Sequence, residues 1–263
     1  MPIFRHADIN FHYLDQGEGT PVLFLHGMGG ELRQALQMLG LTKGIRLISF
    51  DYRGHGATVC DNTAPNFSMQ QYAEDALALL DYLKIEKCVV VGVSLGAAIT
   101  LKLNFLAPEC IEKFVLIRPA WLNEVLPNNL KEAPYISQLI EEHGTEKAQQ
   151  IFQEHPDFIQ LKAENENCAI SALWHFLRPQ AATSFLLLRQ FPYETPFQKL
   201  EDLQQLQQPS LVLACQKDPI HPFEFGTTTA AYLPNCTFQE VAPRYFQEEQ
   251  YLQESRRVIE AFL

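Results

Sequence analysis

The sequence predicts an α/β fold: a mostly parallel sheet joined by crossover helices and interrupted once by a helical insertion. Three observations carry this. Short apolar runs recur at 22–25, 45–50, 89–91, 114–117 and 210–215, the pattern of strands buried on both faces. Helix-forming segments separate most of them, which is the rhythm of β-α-β units. From about residue 120 to 197 that rhythm stops, and only helix-like pieces punctuated by prolines occur.

In chain order, residues 3–13 alternate in places and close a hairpin at Gln16-Gly17-Glu18-Gly19. The strand at 22–25 stops at His26-Gly27-Met28-Gly29-Gly30, and a helical segment follows over 31–41. The strand at 45–50 ends in the polar, glycine-rich loop Asp51-Tyr52-Arg53-Gly54-His55-Gly56. Ser68 is placed to cap a helix with Tyr72, Ala76, Leu79, Leu80 and Leu83 on one face. The run at 89–91 leads into Gly92-Val93-Ser94-Leu95-Gly96 and then good helix formers up to Pro108. The strand at 114–117 ends at Arg118-Pro119. Helical pieces are expected at 136–143, 146–152, 158–164, 170–177 and 181–191. Among their aromatics, Trp121, Trp174, Phe176, Phe185 and Phe191 are either simply core or in part the lining of an apolar pocket facing Ser94. The strand at 210–215 ends at Gln216-Lys217-Asp218-Pro219-Ile220-His221-Pro222, ahead of a helix to Leu233. A last strand at 237–242 leads through Pro243-Arg244-Tyr245-Phe246 into a helix ending at Leu263. Residues 1–119 and 198–263 are therefore expected to form one core, and 120–197 a helical cap.

Composition bounds the function. At 263 residues, 47% hydrophobic and 19% charged, the chain can bury a sizeable core. Its formal charge of -11, without a clustered basic stripe, argues against nucleic acid and anionic lipid as partners. No apolar run approaches the roughly 18 residues that a bilayer needs, and the start lacks a signal-peptide pattern, so a soluble cytoplasmic protein is expected. Six scattered cysteines without metal-ligand spacing are expected to be reduced thiols, with no metal site. The sequence leaves the oligomeric state open.

The chemistry centres on Ser94. A serine forced to the tip of a strand-to-helix turn sits in strained backbone, so the residues two before and two after must lack bulk; Gly92 and Gly96 comply. The Leu95 amide, at the start of the following helix, then points to where an oxyanion forms. A glycine-bounded turn with a solvent-facing serine is the plainer reading of the five residues alone. The β-branched strand before them and the helix after them favour the nucleophile.

His26-Gly27-Met28-Gly29-Gly30, Asp51-Tyr52-Arg53-Gly54-His55-Gly56, Gly92-Val93-Ser94-Leu95-Gly96 and Asp218 stand in this order across the chain. In these pieces the sequence resembles the α/β-hydrolase superfamily over essentially its whole length. The resemblance implies Ser94 as nucleophile, Asp218 as triad acid, and an oxyanion hole from the Leu95 and Met28 amides. It implies structural roles for His26 and His55, and no metal or organic cofactor. The family's base is a histidine in the loop after the last strand, and here that loop holds none; no histidine occurs after His221. Three possibilities stay open: His221, three residues past Asp218, serves as base; His175 of the insertion does; or the site has no histidine base, and Tyr245 or Arg244 replaced it for another purpose.

Two functions of different class follow. The first is a serine hydrolase of a small ester or carbon–carbon-bond substrate. The second is a catalytically impaired member of the fold that binds a small apolar ligand or a protein partner. A non-hydrolytic use of the same site, such as a lyase, is a third.

Overall fold

A computed structural model describes all 263 residues. The strands are β1 (Ile3–His6), β2 (Ile9–Gly17), β3 (Gly19–Leu25), β4 (Gly44–Phe50), β5 (Cys88–Val93), β6 (Ile111–Ile117), β7 (Ser210–Ala214) and β8 (Cys236–Glu240). They form one 8-stranded sheet in the order β1-β2-β4-β3-β5-β6-β7-β8. β1 and β2 enter antiparallel, and every pairing from β4 to β8 is parallel. The helices are α1 (Gln34–Leu39), α2 (Met69–Tyr82), α3 (Leu95–Leu106), α4 (Glu132–Gln153), α5 (Pro156–Glu164), α6 (Glu166–Leu177), α7 (Leu187–Gln190), α8 (Phe223–Tyr232) and α9 (Glu248–Phe262).

Period-2 alternation along the central strands feeds two apolar layers. Val22, Phe24, Val89 and Val91 face one way and pack with α1 and α9. Leu23, Leu25 and Val90 face the other way, into a larger core with α2 and α3 that runs on into α4, α6 and α7. This second layer joins the sheet to the helical segment between β6 and β7. Trp121, Phe176 and Phe191 are buried in it. Phe185 packs at its margin, and Trp174 is half exposed.

Local chemistry accounts for the helix boundaries. Ser68 Oγ accepts the Gln71 amide at 3.0 Å and caps α2 as expected. α1 is shorter than the predicted 31–41, because the Leu32 amide donates to Asp51 Oδ1 at 2.8 Å and ties the segment to the neighbouring loop. The predicted pieces 136–143 and 146–152 are the two arms of α4, which are separate helices divided at Gly144, whose φ of 72° and ψ of 167° are not helical. The predicted helix over 181–191 is reduced to α7. Ser184 accepts from Arg178 Nη1 at 2.8 Å through its hydroxyl and from Nη2 at 3.1 Å through its carbonyl, which diverts that backbone from a helical ladder.

The loop after β4 is anchored by a buried ion pair. Arg53 Nε and Nη2 donate to the two oxygens of Asp75 on α2 at 2.7 and 2.8 Å. All six cysteines are unpaired. No helix is long and apolar enough to cross a membrane.

The closest backbone approach lies where α3 crosses β3. A methyl group at Gly96 would run into the Leu25 carbonyl, and one at Gly92 into the Gly96 carbonyl and Thr100 Oγ1. Backbone cannot yield as a side-chain tip can. Gly96→Ala is therefore expected to cost about 3 kcal/mol, read as a lower urea midpoint at unchanged slope; an unchanged midpoint would show the crossing to be looser than described.

Candidate active site

β5 runs straight into α3, and Ser94 sits at the junction with φ 55° and ψ -113°. A positive φ is costly for a residue with a side chain. The turn is held because the Ser94 amide donates to Ile117 O of β6 at 2.9 Å while the Ser94 carbonyl accepts the Ala97 amide at 2.9 Å. The hydroxyl consequently projects from the C-terminal edge of the sheet, where open α/β sheets bind ligands. The amide of Leu95, in the first turn of α3, donates to no group of the protein.

The loop after β3 presents a second free donor beside it. Of its four amides from Gly27 to Gly30, three are taken. Gly27 donates to Gln34 Oε1 at 2.9 Å, Gly29 to His55 Nε2 at 3.3 Å and Gly30 to Gly27 O at 2.9 Å. Met28 N–H alone has no acceptor. Gly27 lies close enough to Ser94 that a methyl there would stand 3.5 Å from the serine Cβ. The two histidines expected to be structural shape this loop. His26 stacks on Tyr52 with ring centroids 3.8 Å apart and has its Nδ1 2.9 Å from Gly27 O. His55 accepts from Gly29 at Nε2 and has Nδ1 3.1 Å from Arg53 O. Burial pushes both rings toward the neutral form, His26 down to about 4 and His55 well below its ordinary value.

One of the two histidine candidates for the base, His221, stands next to Ser94. His221 Nε2 is 2.9 Å from Ser94 Oγ, and His221 Nδ1 is 3.0 and 3.1 Å from the two carboxylate oxygens of Asp218. The loop after β7 achieves this by folding on its own acid. Asp218 Oδ1 accepts the amides of Ile220 at 3.2 Å and His221 at 3.0 Å, an Asx-type turn that brings a residue three positions on back beside the carboxylate. We assign the proton to Nδ1, because the opposite tautomer would set a lone pair against an anionic carboxylate; Nε2 is then free to accept from the serine. His175 has its ring against Gly29 instead.

Arg118, at the end of β6, completes the cluster. Its Nε donates to Asp218 Oδ2 at 2.6 Å, and its Nη2 is 2.8 Å from His221 Nδ1 and 3.3 Å from Tyr245 Oη. Burial would raise the Asp218 carboxyl, but His221 and Arg118 outweigh it and hold it well below the usual carboxylate range. Burial and then the Arg118 charge lower His221 below its ordinary value, against the pull of Asp218.

A family model described as "Alpha/beta hydrolase family" matches residues 22–260. The chain belongs to this family. Among curated relatives, the hydrolase is 30% identical over 227 residues to "Putative carbamate hydrolase RutD" of Pseudomonas savastanoi pv. phaseolicola, covering 84% of this chain and 85% of that one. It is 42% identical over 112 residues to "Putative non-heme bromoperoxidase BpoC" of Mycobacterium tuberculosis, a match spanning only 41% of this chain and 42% of that protein. The solved structure of MGS-M2, an alpha/beta hydrolase from a Medee basin deep-sea metagenome library, superposes with a TM-score of 0.78 at 17% identity, covering 99% of this chain and 97% of that one.

Of the residues that the sequence singles out, the structure puts Ser94, His221 and Asp218 in contact, with Leu95 next to Ser94 in the chain and Met28 on the loop that begins with Gly27 beside it. Sequence reasoning missed Arg118 in the hydrolase site. The available signal was a charged residue directly after the apolar buried run 114–117, at the rim where such sheets act.

Buried neutral histidines make stability depend on pH. His26, His55 and His221 all have folded-state values below their unfolded ones, so at mildly acidic pH the unfolded chain binds more protons and stability falls. Between about pH 7.5 and about pH 5.5, His26 and His55 are each expected to contribute about 1 kcal/mol of this loss. His55→Gln, which keeps an acceptor for Gly29, should flatten the slope of urea-unfolding free energy against pH. An equal slope in both proteins would refute the assignment.

Proposed function

We propose that the chain is a serine hydrolase of small ester or carbon–carbon-bond substrates, with Ser94 as nucleophile, His221 as base and Asp218 as acid. The observation that carries the reading is the unbroken contact from Asp218 through His221 to Ser94, at 3.0 and 2.9 Å. As Ser94 Oγ attacks a carbonyl carbon, His221 Nε2 takes the hydroxyl proton. Asp218 keeps the proton on Nδ1 and stabilises the imidazolium that forms. The carbonyl oxygen becomes an oxyanion within reach of the Met28 and Leu95 amides, which are already unpaired and need no rearrangement. His221 returns its proton to the leaving group, leaving an acyl-serine. Water, deprotonated by the same imidazole, then releases the acid product. These steps use only this chain's groups, the substrate and water.

The segment 120–197 acts in this reading as a cap over the site. Trp174 Nε1 of α6 donates to Gly29 O at 2.8 Å and Arg178 Nη1 to Gly54 O at 3.1 Å, so the segment rests on the two loops that border the nucleophile. The name of one relative, "Putative carbamate hydrolase RutD", fits chemistry at a small carbonyl compound. A binding-only role drew its support from the missing base, and the His221 contact with Ser94 weighs against it.

Intact-mass labelling with a fluorophosphonate tests the proposal. Wild type should gain one adduct, Ser94→Ala none, and His221→Ala should label far more slowly. Turnover of an activated ester should fall by about 10⁴-fold or more in either variant. A folded wild type that stays unlabelled over hours would sink the hydrolase reading.

A further inference from the structure

Arg118 is placed at a cost that the proposed chemistry alone does not explain. Its φ is 50°, in the left-handed region. It is 7% exposed, so its charge is desolvated. It also sets a cation 2.8 Å from Nδ1 of an imidazole that must accept a proton. Strain, desolvation and repulsion persist at one residue only where its surroundings hold it there.

What the arginine supplies is the missing half of the support for Asp218. The loop after β7 satisfies Oδ1 with its own amides, from Ile220 and His221. No amide reaches Oδ2, whose partners are Arg118 Nε and Nη2, each at 2.6 Å, His221 Nδ1 and the Cys215 thiol at 3.8 Å. Without the guanidinium, the carboxylate could turn about the Oδ1 side, and the imidazole would turn with it. Arg118 is itself boxed in. Its guanidinium carbon lies 5.3 Å from the Tyr245 ring centroid and 5.6 Å from that of Tyr251 on α9. Tyr245 Oη accepts from Nη2 at 3.3 Å. Tyr245 belongs to the loop after β8, where the family's histidine is expected.

We propose, resting on the Ser94, His221 and Asp218 reading, that Arg118 is a positioning residue: braced by Tyr245, it clamps Asp218 Oδ2 and so aims His221 at Ser94. Geometry and charge then act differently on the reaction. The planar fork fixes the carboxylate, and the positive charge keeps the imidazole unprotonated in the resting enzyme. The charged and titratable groups around the imidazole and its acid are Asp218 on the same loop, Arg118 after β6, Arg244 and Tyr245 after β8, Cys168 on α6 and Cys215 after β7. Removing Arg118 takes away the largest of the charges that oppose protonation of His221.

The test measures kcat, KM and the pH dependence of kcat/KM on p-nitrophenyl acetate for wild type, Arg118→Gln, Arg118→Lys and His221→Ala, with thermal melts alongside. Arg118→Gln should lose about 10- to 100-fold in kcat with KM within about twofold, and its acid limb should move to higher pH. Arg118→Lys keeps a charge without the fork, so it should lose kcat while its acid limb stays close to wild type. A merely structural arginine would lower the melting temperature and leave the pH limb in place. Wild-type kcat and an unmoved limb in folded Arg118→Gln overturn the proposal while His221→Ala is inactive. Wild-type activity in His221→Ala instead overturns the triad reading, and this proposal with it. Should Arg118→Gln fail to fold, Arg118→Lys decides: a loss in kcat of about tenfold at unchanged KM supports the clamp, and wild-type kcat refutes it.

Discussion

A carboxylate with no exposed side-chain surface has to be answered completely by the protein around it, and Asp218 is such a carboxylate. In water its charge would be solvated from every side; buried, each lone pair left without a donor costs about as much as a lost charged hydrogen bond. Two amides of its own loop, one guanidinium and one imidazole share that work. They come from the ends of β6 and β7, and the guanidinium is held in turn by aromatic rings from the loop after β8 and from α9. The ends of two strands thus converge on one anion, with the stretch from Tyr245 to Tyr251 behind the guanidinium, which ties the geometry of the edge to the register of the sheet.

The same logic operates across the nucleophile, with neutral groups. Gly29 has φ 79°, donates its amide to His55 and accepts the Trp174 indole at its carbonyl. Both polar groups of one peptide segment are therefore clamped, one by the core loop and one by the helical segment above it. The neighbouring Met28 amide is left free because its neighbours are used elsewhere. A free donor in a fixed loop is inexpensive to aim and needs no reorganisation when an oxyanion forms.

How much of this was legible in the sequence follows from what each feature depends on. Gly92, Gly96 and the glycines after His26 answer backbone crowding between elements adjacent in the chain, so spacing alone reveals them. The central strands were legible because burial on both faces leaves no alternation to misread. The pairing of His221 with Asp218 was half legible, since three residues of spacing permit the contact without requiring it. Arg118 was not, because its partners lie 100 and 103 positions away and only the β6–β7 register brings them together. The lost helix over 181–191 was legible only in part: apolar spacing suggested it, and Ser184's bonds to Arg178 and, 130 positions away, to Gly54 O overruled it.

On the proposed reading, with His221 as base, the support under the base differs from that of a histidine after β8. A histidine after β8 would ride on an edge strand whose residues are mostly exposed or half-buried. His221 instead follows β7, which is buried at all five positions and paired on both sides by β6 and β8. Its acid sits on the same short loop, so any displacement of that loop carries both groups together and leaves their separation unchanged. What such a loop cannot do by itself is hold the acid's second oxygen, and that is the one contact for which the fold reaches across to a charged residue on another strand. The loop after β8, which holds no histidine, supplies aromatic bulk against that residue through Tyr245, so on the proposed reading the base on one loop and the brace on the other serve the same carboxylate.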